Sequence, residues 1–513
     1  MTATEKPLLL GAVDLGSNSF RVEVGRVVDD QILTESYWKE TVRLAAGFDE
    51  KGFLTEEAQK RALNALSRFK EKLAGVDPKY IRAVGTQALR VAKNSDEFLP
   101  KAEAALGHPI EIIAGREEAR LVFSGCAHTL PSSPEKRLVV DIGGASTELI
   151  IGRGYLPKQC ESFHVGCVNT SVQFFKDGKI TAKEFKAAQL SAQAEFEEAH
   201  QEFSHRQWDA AYGSAGTIGA VADIGTALGL TNGVVTPALL KYLRDELISS
   251  GEIRRIKLAG LKEDRREVIA GGIAVLTAVF ETFGIKEMRP ASGALRVGLL
   301  YDILGRKSQH DVRDATVTAI LKRTNVDKQQ AARVAALSDK FFQALSDGNP
   351  DPARRKLLQW AAMLHETGKM ISPSGYHRHS EYILKNSDLP GFSRSDQSDM
   401  AAIVLSQRGN LKKVESCLKD PMLMRMICAI RLAVIFAHAR RTVRLPAWTL
   451  KADGKTIEFA LDSAWLMKHP LPSICFMPKK MSGTRWTLTF VLSAKTLKPT
   501  HRPETDRGRN TAY

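Results

Sequence analysis

Val13–Arg26 reads VDLGSNSFRVEVGR, and Val140–Arg153 reads VDIGGASTELIIGR. The two stretches have equal length, align without a gap, and share Val, Asp, Gly, Ser, Gly and Arg at matching positions. Each follows an apolar run, Leu8–Ala12 in the first and Leu138–Val139 in the second. Each therefore reads as a strand, a turn of small residues and a return strand, which is a hairpin. An aspartate, Asp14 or Asp141, ends the first strand of each just before the turn. A doubled hairpin predicts a doubled domain, with the two turns facing each other across a cleft. Turns rich in N–H and hydroxyl donors can cradle phosphate oxygens. The two carboxylates can hold a hard cation such as Mg²⁺ against those phosphates.

The chain has 513 residues, too many for one core, so three or four domains are expected. Its six cysteines, Cys126, Cys160, Cys167, Cys417, Cys428 and Cys475, form no CxxC pair. That spacing argues against a zinc ribbon or a disulfide scaffold and for reduced, buried thiols. Leu8–Leu10 runs straight into the first hairpin, so it does not read as a signal peptide. The longest apolar run, Met424–Ala437, contains Arg425 and Arg431, so no membrane span is expected. A cytoplasmic location fits these features. The net charge of +15 is uneven. Residues 1–305 carry 38 Lys+Arg against 40 Asp+Glu, whereas residues 306–513 carry 35 against 18. Such asymmetry points to a polyanionic partner. A solvated basic face that serves solubility is the plainer account.

Beyond the first hairpin, Gln31–Lys39 adds a third strand and Arg43–Gly47 reads as a loop. Thr55–Leu73 has helical apolar spacing, with Thr55 as N-cap and Gly75 past the end. Tyr80–Gly85 is a strand that runs into TQALR, Thr86–Arg90, placing Arg90 just beyond a strand end. Ser95 is expected to cap a helix that stops at Gly107. Pro109–Ile113 is a strand, and Gly115 opens the helix GREEARLVFSG. Glu117 and Glu118 sit in its first turn, where acids favour the helix dipole. A carboxylate there that faced the cleft could instead take a proton from water and aim it at phosphorus. Consecutive helical residues point about 100° apart, so only one of the two can do this.

After the linker Pro131–Pro134, the second turn carries Gly143, Gly144, Ala145, Ser146 and Thr147, and Glu148 starts the return strand. Helices fill Thr181–Phe203. Trp208–Tyr212 is a short strand followed by GSAGT, Gly213–Thr217, and a helix. Strand, glycine loop and helix N-terminus form an anion site, although such glycines can also serve a tight turn alone. Lys286–Arg289 and SGALR, Ser292–Arg296, repeat the arrangement before the helix Ala294–Leu304. Arg296 is either a phosphate contact or an ordinary helix cation. Strands interleaved with helices make this half α/β.

DLGSNSF, GTQALR, GREEAR, DIGGASTEL, GSAGT and SGALR occur here in order. In this they resemble the exopolyphosphatase / guanosine pentaphosphate phosphohydrolase family of the actin–hexokinase–Hsp70 superfold, across residues 8–305. The resemblance implies hydrolysis of a terminal phosphoanhydride with Mg²⁺ or another divalent cation. It implies Glu118 as the water-activating base and Asp141 and Glu148, with Asp14, at the metal. It implies Arg90 as a phosphate contact, and phosphate cradles at Ser17, Asn18 and Ser19 and at Gly143, Gly144, Ser146 and Thr147. Gly213, Ser214, Gly216 and Thr217 complete the candidate phosphate set. Two positions depart from the family: Ala145 replaces the third Gly of DIGGGST, and Val297 replaces the Glu of SGALREGL.

The rest reads differently. Thr316–Lys322, Lys328–Leu345, Ala353–His365, Ser380–Lys385 and Met422–Ala437 have helical periods. LHETGK, Leu364–Lys369, and YHRHSEYIL, Tyr376–Leu384, resemble the HD domain of metal-dependent phosphohydrolases. The His-Asp pair is His365-Glu366 here and the later Asp falls at Val434, so a degenerate site without metal is expected. Trp448–Leu450, Lys455–Leu461 and Arg485–Leu492 alternate like strands around an Asp453-Gly454 turn. Lys498–Tyr513 has little apolar content and is expected to be disordered.

The expected architecture is α/β. Two duplicated actin-like ATPase-fold lobes, 1–133 and 134–305, precede an all-α HD-like domain, 306–440, and a small α+β domain, 441–513. The expected activity is release of orthophosphate from the ends of inorganic polyphosphate, because a long polyanion can exploit distributed charge. Hydrolysis of guanosine pentaphosphate uses the same residues and is the first alternative. A non-catalytic polyphosphate or nucleotide sensor is the second. No DNA partner is expected, and the resemblance implies a homodimer.

Overall fold

The turn residues between Leu15 and Ser19 and between Ile142 and Thr147 leave each flanking strand free to pair directly with the next. The computed structural model describes residues 7–29, 31–307, 311–445, 447–453, 456–462, 465 and 487–493. They divide into two units, Met1–Val312 with Pro390–Arg394, and Arg313–Leu389 with Ser395–Tyr513.

The first half of the first unit runs β1 (Leu9–Leu15), β2 (Ser19–Val28), β3 (Gln31–Thr41), α1 (Glu56–Lys72), β4 (Ile81–Gly85), α2 (Gln87–Val91), α3 (Ser95–Leu106), β5 (Ile110–Ile112) and α4 (Gly115–Thr129). The second half runs β6 (Lys136–Ile142), β7 (Thr147–Arg153), β8 (Leu156–Phe163), α5 (Cys167–Phe174), α6 (Ala182–Phe196), β9 (Ala210–Ser214), α7 (Ala215–Ala227), α8 (Pro237–Ser250), α9 (Ile269–Phe283), β10 (Arg289–Pro290) and α10 (Leu295–Lys307). The sheets are ordered β3-β2-β1-β4-β5 and β10-β9-β6-β7-β8. In both, the hairpin and a third antiparallel strand lie on one side and parallel strands on the other. The duplication read from the two hairpins is thus a duplication of whole sheets.

Thr55 caps α1 through its hydroxyl, which accepts from the Ala58 N–H. The cap of α3 is Asn94 rather than Ser95, which is the first helical residue. Gly107 ends α3 in the left-handed region at φ 78°, where a residue without Cβ is unstrained. Strand β8 and helices α5, α8 and α9 have no counterpart among the expected elements. Nearly all of α9 is buried, so it lacks the amphipathic period that exposes a helix in a sequence. Its Gly271 and Gly272 lie against Ser171, Cys167 and Thr217, where any side chain would collide.

Helices α4 and α10 cross at glycines. A Cβ on Gly125 would collide with the Ala294 carbonyl, and one on Gly298 with the Leu121 carbonyl. Close backbone approach brings their charged residues together. Arg120 grips Glu117 with two hydrogen bonds of 2.7 and 2.8 Å and reaches Asp302 at 2.6 Å. Arg82 donates to Asp302 at 2.7 Å and to Glu111 at 2.9–3.2 Å, and Arg306 donates to Asp302 at 2.9 Å. Burial raises the Asp302 carboxyl, but Arg120, Arg82 and Arg306 outweigh it and hold the group well below the usual carboxylate range.

The second unit contains α12 (Lys328–Leu345), α13 (Pro352–Met363), α14 (Tyr376–Asn386) and α16 (Pro421–Phe436), and all but the first residue of α11 (Val312–Arg323) and of α15 (Arg394–Ser406). Strands β11 (Trp448–Asp453), β12 (Thr456–Asp462) and β13 (Thr487–Ser493) form a three-stranded sheet. Helix α15 was not expected. Gly454 of the expected turn, Cys475 and the tail Lys498–Tyr513 lie outside the described residues. His365 and Glu366 are committed to protein partners. Glu366 takes Lys369 at 2.5 Å and Arg440 at 2.9 and 3.1 Å. His365 Nδ1 lies 2.6 Å from the Ala362 carbonyl, and burial brings its pKa down to about 4.

Candidate active site

The quoted hairpins put their turns face to face. An added Cβ on Gly144 would come within 3.0 Å of both the Asn18 nitrogen and Ser17 Cβ. The first turn is tied down by the Arg43 and Ala45 N–H groups, which donate to the Asn18 and Ser17 carbonyls at 2.8 and 2.9 Å. The second is tied down by the start of α5, where Cys167, Val168 and Asn169 donate to the Gly143 and Gly144 carbonyls. Ser17, Asn18, Ser19 and Ser146 are buried at these turns, and Asn18 Oδ1 has no hydrogen-bond partner.

Strand register sets what stands beside each aspartate. Asp14 pairs across its hairpin with Arg21, and Asp141 across its own with Glu148. The same position thus carries opposite charges in the two halves. Arg21 Nη1 donates to Asp14 at 3.4 Å. Burial raises the Asp14 carboxyl, while Arg21 and then Arg296 pull it back. Arg21 and Arg296 pull Asp141 down as well, but there they are outweighed. Burial first, and then the Glu118 charge, push it up to about 7. Burial, Glu118 and Asp141 together push Glu148 well above the usual range. One oxygen of each, Asp141 Oδ1 and Glu148 Oε2, is buried without a hydrogen-bond partner, while Glu148 Oε1 accepts from Ser162 at 2.9 Å.

The parallel strands bring the remaining parts. Asp14 lies in register with Val84 of β4, and Asp141 with Ser214 of β9. Arg90 stands just past β4 on α2, as expected. It donates to Glu118 Oε2 at 2.8 Å, to the Ile113 carbonyl at 2.9 Å and to Gln87 at 2.9 Å. Its Nη2 is buried without a partner. Burial raises Glu118, the Arg90 charge opposes, and Asp14 adds to the rise. Asp14, Glu118, Asp141 and Glu148 therefore share one buried electrostatic field. Glu117 is turned away into the Arg120–Asp302 network, so α4 splits its two acids between structure and site.

The phosphate set is divided by the structure. Thr147 donates to the Val165 carbonyl at 2.6 Å and Ser214 to the Gly293 carbonyl at 3.1 Å, so both hydroxyls brace backbone. Gly213 is required by packing, since a Cβ there would meet Ile218 and Met288. Gly143 would bring a Cβ within 3.1 Å of the Ser146 carbonyl inside its own turn. Thr217 is buried against Gly272. Gly216 sits at the start of α7 with the Arg265 guanidinium directly over it. Arg265 was missed by the sequence reading and pairs with no acid among the described residues. Arg296, left open above, donates to Glu23 at 3.1 Å and lies over the Tyr37 ring.

Among the described residues, no three His, Cys, Asp or Glu side chains are grouped so as to hold a metal ion. The orphaned oxygens of Asp141 and Glu148 still fit a cation whose remaining ligands are water and phosphate, the usual manner of Mg²⁺. A consequence concerns pH. A carboxyl with a pKa of about 7 when folded and 3.8 when unfolded holds a proton that the unfolded chain has lost. Its stabilising effect is full below the lower value and is lost as pH rises through the higher. Chelator-treated protein should melt at progressively lower temperature from pH 5 to 8, and Asp141→Asn should flatten that slope. Parallel slopes for the two proteins in differential scanning calorimetry would remove Asp141 as the cause.

Duplicated sheets with facing hairpin turns define the actin-like α/β class. The chain belongs to the Ppx/GppA phosphatase family. The family's sequence profile matches residues 24–307, and that of Ppx/GppA phosphatase domain III matches residues 312–474. A Vibrio vulnificus protein named guanosine-5'-triphosphate,3'-diphosphate pyrophosphatase is 39% identical over 467 residues, 90% of this chain and 94% of its own. An exopolyphosphatase crystal structure from Cytophaga hutchinsonii is 24% identical, covers 58% of this chain and 98% of its own, and superposes with a TM-score of 0.53. A solved exopolyphosphatase-like protein is 25% identical over 60% of this chain and all of its own, also with a TM-score of 0.53. No helix among the described residues is long and apolar enough to cross a membrane.

Proposed function

We propose that this phosphatase hydrolyses the terminal phosphoanhydride of guanosine-5'-triphosphate,3'-diphosphate, releasing orthophosphate. The observation that carries the substrate is the 39% identical relative of that name, matched along 94% of its length. This reverses the order expected above, where polyphosphate came first. Polyphosphate is the second reading, favoured by the 35 Lys+Arg against 18 Asp+Glu of residues 306–513.

Glu118 takes the proton of the attacking water as its oxygen approaches the terminal phosphorus. The bond from phosphorus to the bridging oxygen breaks, and the shortened nucleotide leaves on that oxygen. Before substrate arrives, Arg90 occupies Glu118 at 2.8 Å. A phosphate that draws Arg90 away frees the carboxylate to act as a base, and burial already raises its proton affinity. The facing turns and the start of α7 hold the phosphate oxygens. Asp141 and Glu148, with Asp14, would hold a divalent cation, which lowers the phosphate's negative charge when bound. The family resemblance supports a homodimer, which light scattering of the purified protein would check.

Phosphate release from the nucleotide and from long-chain polyphosphate, compared as kcat/KM at low and high salt with Mg²⁺, tests the substrate. A clear preference for polyphosphate, lost at high salt, would replace the nucleotide reading. Asp141→Asn and Glu148→Gln should each raise the Mg²⁺ concentration for half-activity by about 10-fold or more, because a site of few carboxylates loses charge with each substitution. An unchanged Mg²⁺ titration in both variants would make these acids structural.

A further inference from the structure

The first unit includes one short segment from far along the chain, Pro390–Arg394. It is built in rather than laid on the surface. The Gly391 N–H donates to Glu117 Oε2 at 2.9 Å, and the Gly391 carbonyl accepts from Arg306 Nη2 at 3.3 Å. Phe392 and Ser393 are buried, at 1% and 2% exposure. The anchor is therefore Glu117, the residue next to Glu118 on α4. Arg394 follows directly and is exposed.

Arg394 makes no ion pair among the described residues. It lies three residues beyond the anchor on Glu117, whose neighbour Glu118 holds Arg90, and partial burial and then the Arg90 charge lower its proton affinity. Arg90 is itself deficient in partners: its side chain is only 5% exposed, yet Nη2 is buried without an acceptor. Two guanidiniums held in one neighbourhood repel each other unless an anion lies between or beside them. A buried guanidinium nitrogen with no acceptor is costly when empty and strong when it meets a charged oxygen. Glu118 takes Arg90 Nη1 through one oxygen and leaves Nη2 without an acceptor.

We propose that Arg394, carried to the site by the Gly391–Glu117 anchor, is a phosphate-binding residue that grips the substrate's terminal phosphoryl group from the solvent side while Arg90 grips it from within. The ligand is a terminal phosphate of a phosphoanhydride chain, whether nucleotide-borne or inorganic. The inference rests on the phosphohydrolase reading for its substrate but not for its geometry.

The test therefore has two arms. In the first, inorganic tripolyphosphate is titrated calorimetrically into full-length Glu118→Gln protein, with and without Arg394→Ala. Loss of the second guanidinium should weaken binding by about 10–100-fold, the size of a charge-assisted contact. Arg394→Lys, which keeps the charge, should recover part of it. In the second arm, Arg394→Ala in the otherwise intact enzyme should raise KM by a similar factor, with a smaller change in kcat and an unchanged melting temperature. A segment that is merely structural would lower the melting temperature and leave affinity per folded molecule intact, and that result overturns the proposal. So does equal tripolyphosphate affinity with and without Arg394, or no tripolyphosphate binding at all. An enzyme inactive on every phosphoanhydride would defeat the proposed function, while the calorimetric arm would still decide Arg394.

Discussion

Glu118→Gln should lower turnover by about 10²–10⁴, the usual share of a general base, while the protein stays folded and still binds substrate. The expectation rests on placement. Glu118 is the acid of α4 that meets Arg90 and shares a field with Asp14, Asp141 and Glu148. Glu117→Gln is the control and should behave differently. Its carboxylate holds Arg120 with two bonds and accepts the Gly391 N–H, so its loss should appear as a lower melting temperature. The sequence alone suggests a mild effect, because consecutive helical side chains point apart and Glu117 then lies away from Glu118. Single-turnover phosphate release, normalised to folded protein by circular dichroism, separates the cases. Equal losses of kcat in two fully folded variants would remove Glu118 from the base role.

Asp302→Ala should destabilise the first unit by about 3–5 kcal/mol, the range for taking one partner out of a buried ion pair. Asp302 is the hub of its network, since Arg82, Arg120 and Arg306 all donate to it. Its side chain is 4% exposed, so water cannot take its place cheaply. Removing it leaves three guanidiniums facing one another. Because its carboxyl is held well below the usual range, its contribution is present at neutral pH and lost as pH falls through that depressed value. Urea unfolding at pH 7 measures the difference. A loss under about 1 kcal/mol, typical of an exposed pair, would show that the network is solvated in practice.

The paired hairpins, the helix opened by Gly115, the cap at Thr55 and the position of Arg90 past a strand end could all be read in the sequence. Each is a local matter: alternation, turn chemistry and capping act over a few residues, and the chain spells them out. Helix α9 could not be read because nearly all of it is buried, and α5 because its first N–H groups are taken by the Gly143 and Gly144 carbonyls far back in the chain. Strand β8, although it forms a local hairpin with β7, could not be read because its half-buried residues do not alternate. Ser95 was mistaken for a cap because Asn94, one residue earlier, is equally suited to end a loop.

The alignment of Asp14–Arg21 with Asp141–Glu148 was already visible in the residues. Strand register turned it into chemistry by setting a cation opposite one aspartate and a second acid opposite the other. The same holds for the phosphate set. The turn types were legible, but Thr147 and Ser214 are spent on backbone carbonyls, Arg265 comes to lie over Gly216, and Arg394 enters the first unit from beyond residue 389. Local sequence determined the doubled α/β scaffold and which residue types could serve phosphate. Tertiary structure alone decided which of them face it, because burial and charge pairing depend on neighbours that the chain brings in from far away.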